Sequence, residues 1–262
     1  MKKLLALGLF FLLSNCSTVP VTGRRQLSLL PASQLQQMSY TSYKQFLDTN
    51  KVVGNGSNVE TVRRVGVRIQ KAVETYMAQN NLTNQLEGFA WEFNVVESPQ
   101  VNAWCMPGGK VVVYTGILPI TQTETGLAVV MGHEIAHAIA KHGDERMSES
   151  LLANGLLQGG QIAAGANPKV INQLLLQAVG AGAQLTMLSH SRKQESEADR
   201  IGLIFMAMAG YNPSEAVPFW ERMAAKSGGN KPPEFLSTHP SDERRIRDIQ
   251  GLLPEASKYY SK

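Results

Sequence analysis

Cysteine is scarce: Cys16 and Cys105 are the only two in 262 residues. Cys16 falls at the end of a leader-like N-terminus, which leaves Cys105 alone and excludes an internal disulfide framework. Cys105 lies in an apolar stretch and reads as a small buried hydrophobe. Long apolar runs are missing too. Leu4 to Leu13 is too short for a membrane span, which takes about 18 residues or more. The Leu-, Ala- and Gly-rich stretch 151–188 is interrupted by Gln158, Gln161, Asn167, Lys169, Gln173 and Gln177, so it reads as two helices beside a cleft, with a membrane-facing or lid role as the alternative. No basic cluster is interleaved with aromatics, which leaves nucleic acid unsupported as a partner. The formal charge of +4 falls by two if Lys2 and Lys3 leave with a leader. No repeat period is evident, and the length suits one domain.

The N-terminus has the layout of an export signal. Met1-Lys2-Lys3 is a basic start and Leu4 to Leu13 an apolar core. Leu13-Ser14-Asn15-Cys16 then looks like a bacterial lipobox. This divides the chain into a signal peptide over 1–15, a lipidated tether over 16–31 punctuated by Pro20, Gly23 and Pro31, and a domain over 32–262. An acylated Cys16 would anchor the protein stably to a membrane. Ser17, in place of Asp, points by analogy to the outer membrane of a bacterial envelope, facing the periplasm.

What is present is the pentad His133-Glu134-Ile135-Ala136-His137. Positions i and i+4 share a helix face, so two imidazoles there can grip one metal ion. Glu134, one residue further round, can reach a metal-activated water as its base. Thr121 and Glu124 have capping-box spacing for the start of this helix. Lys141 and His142 suit its last turn, with His142 as a surface residue complementing the helix dipole, and Gly143 suits its C-cap. A third ligand is needed. A His six positions after His137 would complete one class of zinc site, but Gly143 stands there. The alternative is a carboxylate on a later helix. Glu195 and Asp199 are i, i+4, which suits a ligand and a carboxylate that fixes a ligating imidazole. Glu197 points about 200° away from Glu195 and is the weaker candidate. Alone, this segment would read as a solvated charged face.

Taken together these motifs resemble the zinc metallopeptidase family of HtpX, BepA and the CAAX prenyl proteases, in the gluzincin group. The residues that carry the resemblance are Asn102-Ala103-Trp104-Cys105-Met106-Pro107-Gly108-Gly109, the pentad, Glu195-Ser196-Glu197-Ala198-Asp199, Thr238-His239-Pro240 and Arg245-Ile246, across roughly residues 55 to 255. The resemblance implies one zinc ion per chain on His133, His137 and Glu195, with Glu134 as catalytic base and Asp199 as the Asp of the family motif. It implies an α+β fold, mostly α-helical, with a thermolysin-like core and a small β-sheet. His239 would face the metal, either stabilising the oxyanion or plugging the open coordination position in a resting state. The nearest subgroup in appearance is the bacterial periplasmic lipoprotein type. Trp104 and Cys105 stand where smaller or plainer apolar residues are common, which bears on substrate preference.

Alternation at Trp91 to Val95 and the Val-rich run from Lys110 to Thr115 read as strands, with a turn at Pro107-Gly108-Gly109. Asn102 to Met106 reads as an edge strand on which Asn102, Ala103, Trp104 and Cys105 bind extended substrate by strand addition. Helical spacing covers Ala32 to about Leu47, Asn58 to Gln79, and Pro240 to about Gln250. Two functions fit. One is a zinc endopeptidase acting on misfolded or unassembled envelope proteins. The other is a non-hydrolytic chaperone or assembly factor for outer-membrane proteins on the same scaffold. Glu134 favours the first, because a scaffold does not need it.

Overall fold

The computed structural model describes residues 16–153, 191–226, 235–236, 239 and 243–261. The reading of 1–15 as a signal peptide lies outside the described residues, as does almost all of 151–188. Two short strands open the chain: β1 (Cys16–Thr18) and β2 (Arg25–Leu27) pair antiparallel, with Cys16 opposite Leu27. The stretch read as a tether therefore folds back on itself, and Val19 and Gln26 are buried. Next come α1 (Ala32–Thr49), β3 (Val52–Val53) and α2 (Ser57–Gln79), then β4 (Glu92–Val96), β5 (Ala103–Met106) and β6 (Lys110–Tyr114).

The main sheet has the order β3-β4-β6-β5. β4 and β6 run parallel, while β3 and β5 pair antiparallel with their neighbours. β6 lies inside the sheet and is buried at every residue, which is why its sequence is a Val run rather than an alternation. Val111 and Val113 join Phe93, Val95 and Ala103 in the main core. Val112 and Tyr114 face the other way, with Trp104 and Met106, against Tyr43 and Phe46 of α1. Gly108 and Gly109 turn β5 into β6 with φ of 86° and 83°, a conformation that disfavours any side chain.

Among the described residues, five longer helices and a short one follow: α3 (Leu118–Thr121), α4 (Glu124–Ile139), α5 (His142–Ala153), α6 (Arg192–Met208), α7 (Ala216–Ala225) and α8 (Glu243–Ala256). α4 is buried from Gly126 to Ile139 and is the axis of the core. α6 crosses it backbone to backbone. A Cβ built on Gly202 would lie 2.9 Å from the Gly132 carbonyl carbon and the His133 nitrogen. This glycine pair sets α6 against the turn of α4 that carries the pentad. No described helix is long and apolar enough to cross a membrane.

The ends of α4 differ from those its sequence predicts. Thr121 closes α3 instead of capping α4, because Pro119 starts a helical turn of its own and Gln122 then adopts φ 61°. Thr123 is the cap, its hydroxyl accepting from the Gly126 amide at 2.9 Å. At the other end α4 stops at Ile139, and Lys141 takes φ 57°. The chain bends there, so His142 begins α5 and Gly143 lies inside it. The final helix runs beyond Gln250 to Ala256 with Pro254 inside it.

Candidate metal centre

α4 supplies His133 and His137, one turn apart on the face toward α6. α6 starts at a full capping box: the Ser191 hydroxyl accepts from the Gln194 amide and the Gln194 side chain accepts from the Ser191 amide. This fixes the first turn, where Glu195 lies. His239 comes from the chain after Phe235, its amide donating to the Phe235 carbonyl at 2.8 Å. The four side chains are buried and offer ligand atoms that all lie within 4.8 Å of one another.

Their spacing fits a single small cation. Metal–nitrogen distances near 2.0–2.1 Å and tetrahedral angles put neighbouring ligand atoms about 3.3 Å apart. His133 Nε2 lies 3.0 Å from His137 Nε2 and 3.2 Å from His239 Nδ1. Glu195 Oε1 lies 3.3 Å from His137 Nε2 and 2.9 Å from His239 Nδ1. Three imidazoles and a carboxylate match zinc in ligand type and number. His239 Nδ1 thus lies at the same spacing as the donor atoms of the other three residues.

His133, His137 and Glu195 are held from behind. His133 Nδ1 faces Asp199 Oδ1 at 2.9 Å. Arg245 donates to both Asp199 oxygens at 2.8 and 2.9 Å, pairs with Glu195 at 2.8 Å, and lies 3.6 Å over the Trp220 ring. Burial opposes ionisation of Glu195, but His239, Arg245 and the two imidazoles outweigh it and hold the carboxyl well below its usual range. His137 Nδ1 faces His142 Nδ1 at 2.8 Å, and His142 Nε2 faces Glu197 at 3.0 Å. His142 is therefore not the surface residue its spacing predicts. The break at Lys141 folds it under His137, where it is fully buried. Glu197 is likewise buried. Burial pushes its carboxyl up, but bonds from His142, Thr22 and Arg24 bring it to about 2.

Glu134 is buried beside the cluster, 3.5 Å from His239 Nε2. Burial raises its pKa against the pull of His239 and His133. A carboxyl shifted upward is a stronger proton acceptor. Glu134, His137 and His239 line a cavity of about 650 Å³, and so do Asn102, Ala103, Trp104 and Cys105. β5 ends the sheet along this cavity. The Cys105 thiol is pushed up by burial and stays protonated.

Sequence reasoning put His142 at the surface and weighed Glu197 only as the weaker ligand candidate, and it gave Arg245 and Arg24 no role. Arg245 stands in a recognised motif, and its charge was the available signal. Nothing in the sequence pairs position 24 with position 197.

Residues 65–253 match peptidase family M48. The "Mitochondrial metalloendopeptidase OMA1" of Schizosaccharomyces pombe is 32% identical over 254 residues, covering 97% of this chain and 71% of its own length. The "Metalloendopeptidase OMA1, mitochondrial" of Homo sapiens is 31% identical, covering 95% of this chain and 48% of its own. The "Beta-barrel assembly-enhancing protease" of Escherichia coli is 26% identical, covering 90% and 47%. The chain thus spans about half the length of the human and bacterial relatives. These names correct one expectation. The relatives of higher identity are mitochondrial proteins, which overturns the placement in a bacterial outer membrane and leaves the lipid anchor at Cys16 and outer-membrane partners without support.

Proposed function

The chain belongs to peptidase family M48 and is a zinc metallopeptidase, and from that premise we propose that it is an endopeptidase that cuts extended segments of misfolded or unassembled proteins. The observation that carries this reading is the placement of Glu134. A buried, upshifted carboxylate lies between a four-ligand cluster and a cavity edged by the last strand of a sheet.

In this reading His133, His137 and Glu195 hold the zinc. When bound, the ion would supply a Lewis acid for the scissile carbonyl and would acidify a water to a pKa of about 7. Asp199 keeps His133 with its Nδ1 proton pointing away from the ion, and Arg245 keeps Asp199 and Glu195 in place. The Glu134 carboxylate takes the proton from the attacking water and passes it to the leaving amine nitrogen. The cavity walls hold substrate away from bulk water, which strengthens each of these charges. β5 lays the substrate backbone alongside it by strand addition, with Ala103, Trp104 and Cys105 setting which side chains fit. His239 would be a further donor to the zinc at rest and would have to move aside as substrate enters.

The second reading is a binding or assembly role without hydrolysis, and the name of the bacterial relative, a protease that enhances assembly, favours keeping it. Digestion of casein by the purified chain separates the two. The proposed function predicts cleavage that stops with a chelator and returns with zinc. Binding of casein without cleavage in the zinc-loaded wild type would reject it.

A further inference from the structure

The hairpin before α1 touches the metal site at its rear, and nothing in the proposed chemistry uses it. Arg24 lies in that hairpin and bridges two acidic groups on different helices. Its Nε donates to Glu197 of α6 at 2.7 Å and its Nη2 to Glu145 of α5 at 2.8 Å. Thr22, two residues earlier, donates its hydroxyl to the same Glu197. Gln26, two residues later, donates to the Ala140 carbonyl at 2.7 Å. That carbonyl belongs to the C-cap of α4, three residues beyond His137. Further on, Ser28 donates to Asp144 at 2.6 Å and the Leu29 amide to Ser148 at 2.9 Å. One short hairpin thus ties together the end of α4, the start of α5 and the first turns of α6.

The direction of the hydrogen bonds ties the hairpin to the ligand. With Nε2 of His137 turned to the ligand cluster, its Nδ1 carries the proton and donates to His142 Nδ1. His142 must then hold its own proton on Nε2, which donates to Glu197 Oε2. Glu197 must accept throughout. Of its three partners, His142 belongs to the site and Thr22 and Arg24 belong to the hairpin. Without Arg24, the Glu197 carboxylate would keep the bonds from His142 and Thr22 alone, and that of Glu145 the bond from Gln194.

We propose that Arg24 is a positioning residue of the metal centre, acting through Glu197 and His142 to fix the ring orientation and tautomer of His137, so that the N-terminal hairpin is an integral part of the site. The inference rests on His137 as a zinc ligand. Outer hydrogen-bond partners of ligating imidazoles typically contribute about 10–100-fold to metal affinity or activity.

The test is chelator competition for zinc, with kcat and KM measured at saturating zinc, on the purified full chain. Arg24→Ala is expected to weaken zinc binding by about 10–100-fold and to lower kcat while leaving KM unchanged. Arg24→Lys restores part of the loss, because an ammonium neutralises one acid but cannot fork between two. The double variant Arg24→Ala/His142→Ala loses no more affinity than His142→Ala alone, as expected of residues acting in series. A lowered Tm with unchanged zinc affinity, or losses that add, would reduce Arg24 to a structural tie and overturn the proposal. If Arg24→Ala does not fold, Glu197→Gln and His142→Gln carry the same cycle with the same two outcomes. His137→Ala separates the failures. Zinc retained in that variant removes the ligand assignment itself, whereas zinc lost there but held normally by Arg24→Ala removes only the role of the hairpin.

Discussion

Gly202→Ala is the sharpest test of how the metal centre is assembled. Helix propensity alone favours Ala over Gly by about 1 kcal/mol, so an unobstructed site would gain stability. This site is obstructed. The new methyl would meet the Gly132 carbonyl carbon and the His133 nitrogen at 2.9 Å and the Gly132 oxygen at 3.0 Å. Carbon contacts are comfortable only from about 3.5 Å, so α4 and α6 must part by roughly 0.5 Å. Every atom in the way is backbone and cannot rotate aside. Overpacking of this kind typically costs about 1–3 kcal/mol, which offsets the propensity gain and leaves a net loss of up to about 2 kcal/mol. For a chain of this size that lowers Tm by up to roughly 8 °C. The same movement carries Glu195 and Asp199 away from the imidazoles, and a site needs its groups within about 0.5 Å of their working positions. Zinc affinity should therefore fall by about tenfold or more. Calorimetry with and without chelator reads the first effect, and competition titration the second. A raised Tm together with wild-type zinc affinity would show that propensity wins and that the glycine pair does not set the ligand geometry.

Glu134→Gln should keep its zinc and its Tm while peptide hydrolysis falls by at least about 10²–10⁴-fold, and retained hydrolysis in the metal-replete variant would remove Glu134 as the base. His239→Ala should bind zinc more weakly yet cleave casein faster at saturating zinc, since the position it fills is freed; a drop in kcat of about 10²–10³-fold would instead assign His239 to the oxyanion. Asp144 has its pKa raised from 3.8 to about 6, chiefly by burial, against hydroxyl bonds from Ser28 and Ser148. The folded state therefore holds this proton more tightly than the unfolded one, so its contribution is full below about pH 4 and is lost as pH rises through about 6. Asp144→Asn should flatten the fall in stability between those values by up to about 3 kcal/mol, and parallel Tm–pH curves for the two proteins would refute this.

Much of the site is legible in the sequence because it is local. The pentad and the Glu195–Asp199 pair are each i, i+4 patterns within one helix, and helix geometry converts such spacing directly into a shared face. The strands β4, β5 and β6 are legible for the same reason, through alternation and a Pro-Gly-Gly turn. What escapes the sequence is what depends on a chain reversal of one residue. Lys141 and Gln122 enter the left-handed region without being Gly, and each turns a neighbouring residue to an unforeseen place. His142 goes from a helix end to a buried partner of His137, and Thr121 loses its capping role to Thr123. The rest is long-range. Arg24 and Glu145 are charged residues whose sequence environment suggests only solvent, and Glu197 and Arg245 stand in motifs that do not reveal their partners. They come together because α4, α5, α6, α8 and the hairpin converge on one point, and convergence leaves no mark on any single segment.

The place of β5 at the edge of its sheet has a consequence for kinetics. A chain that adds a strand there must present amide groups that its own folded structure would otherwise use. Each tenfold in the population of such an opened segment corresponds to about 1.4 kcal/mol. A segment protected by roughly 4 kcal/mol of local stability therefore exposes itself in only about one molecule in a thousand. When opening and closing are fast relative to cutting, the cleavage rate follows that population. The cleft would then behave as a thermometer of local folding: two clients with the same residues around the scissile bond would be cut at rates set by how often that bond comes loose.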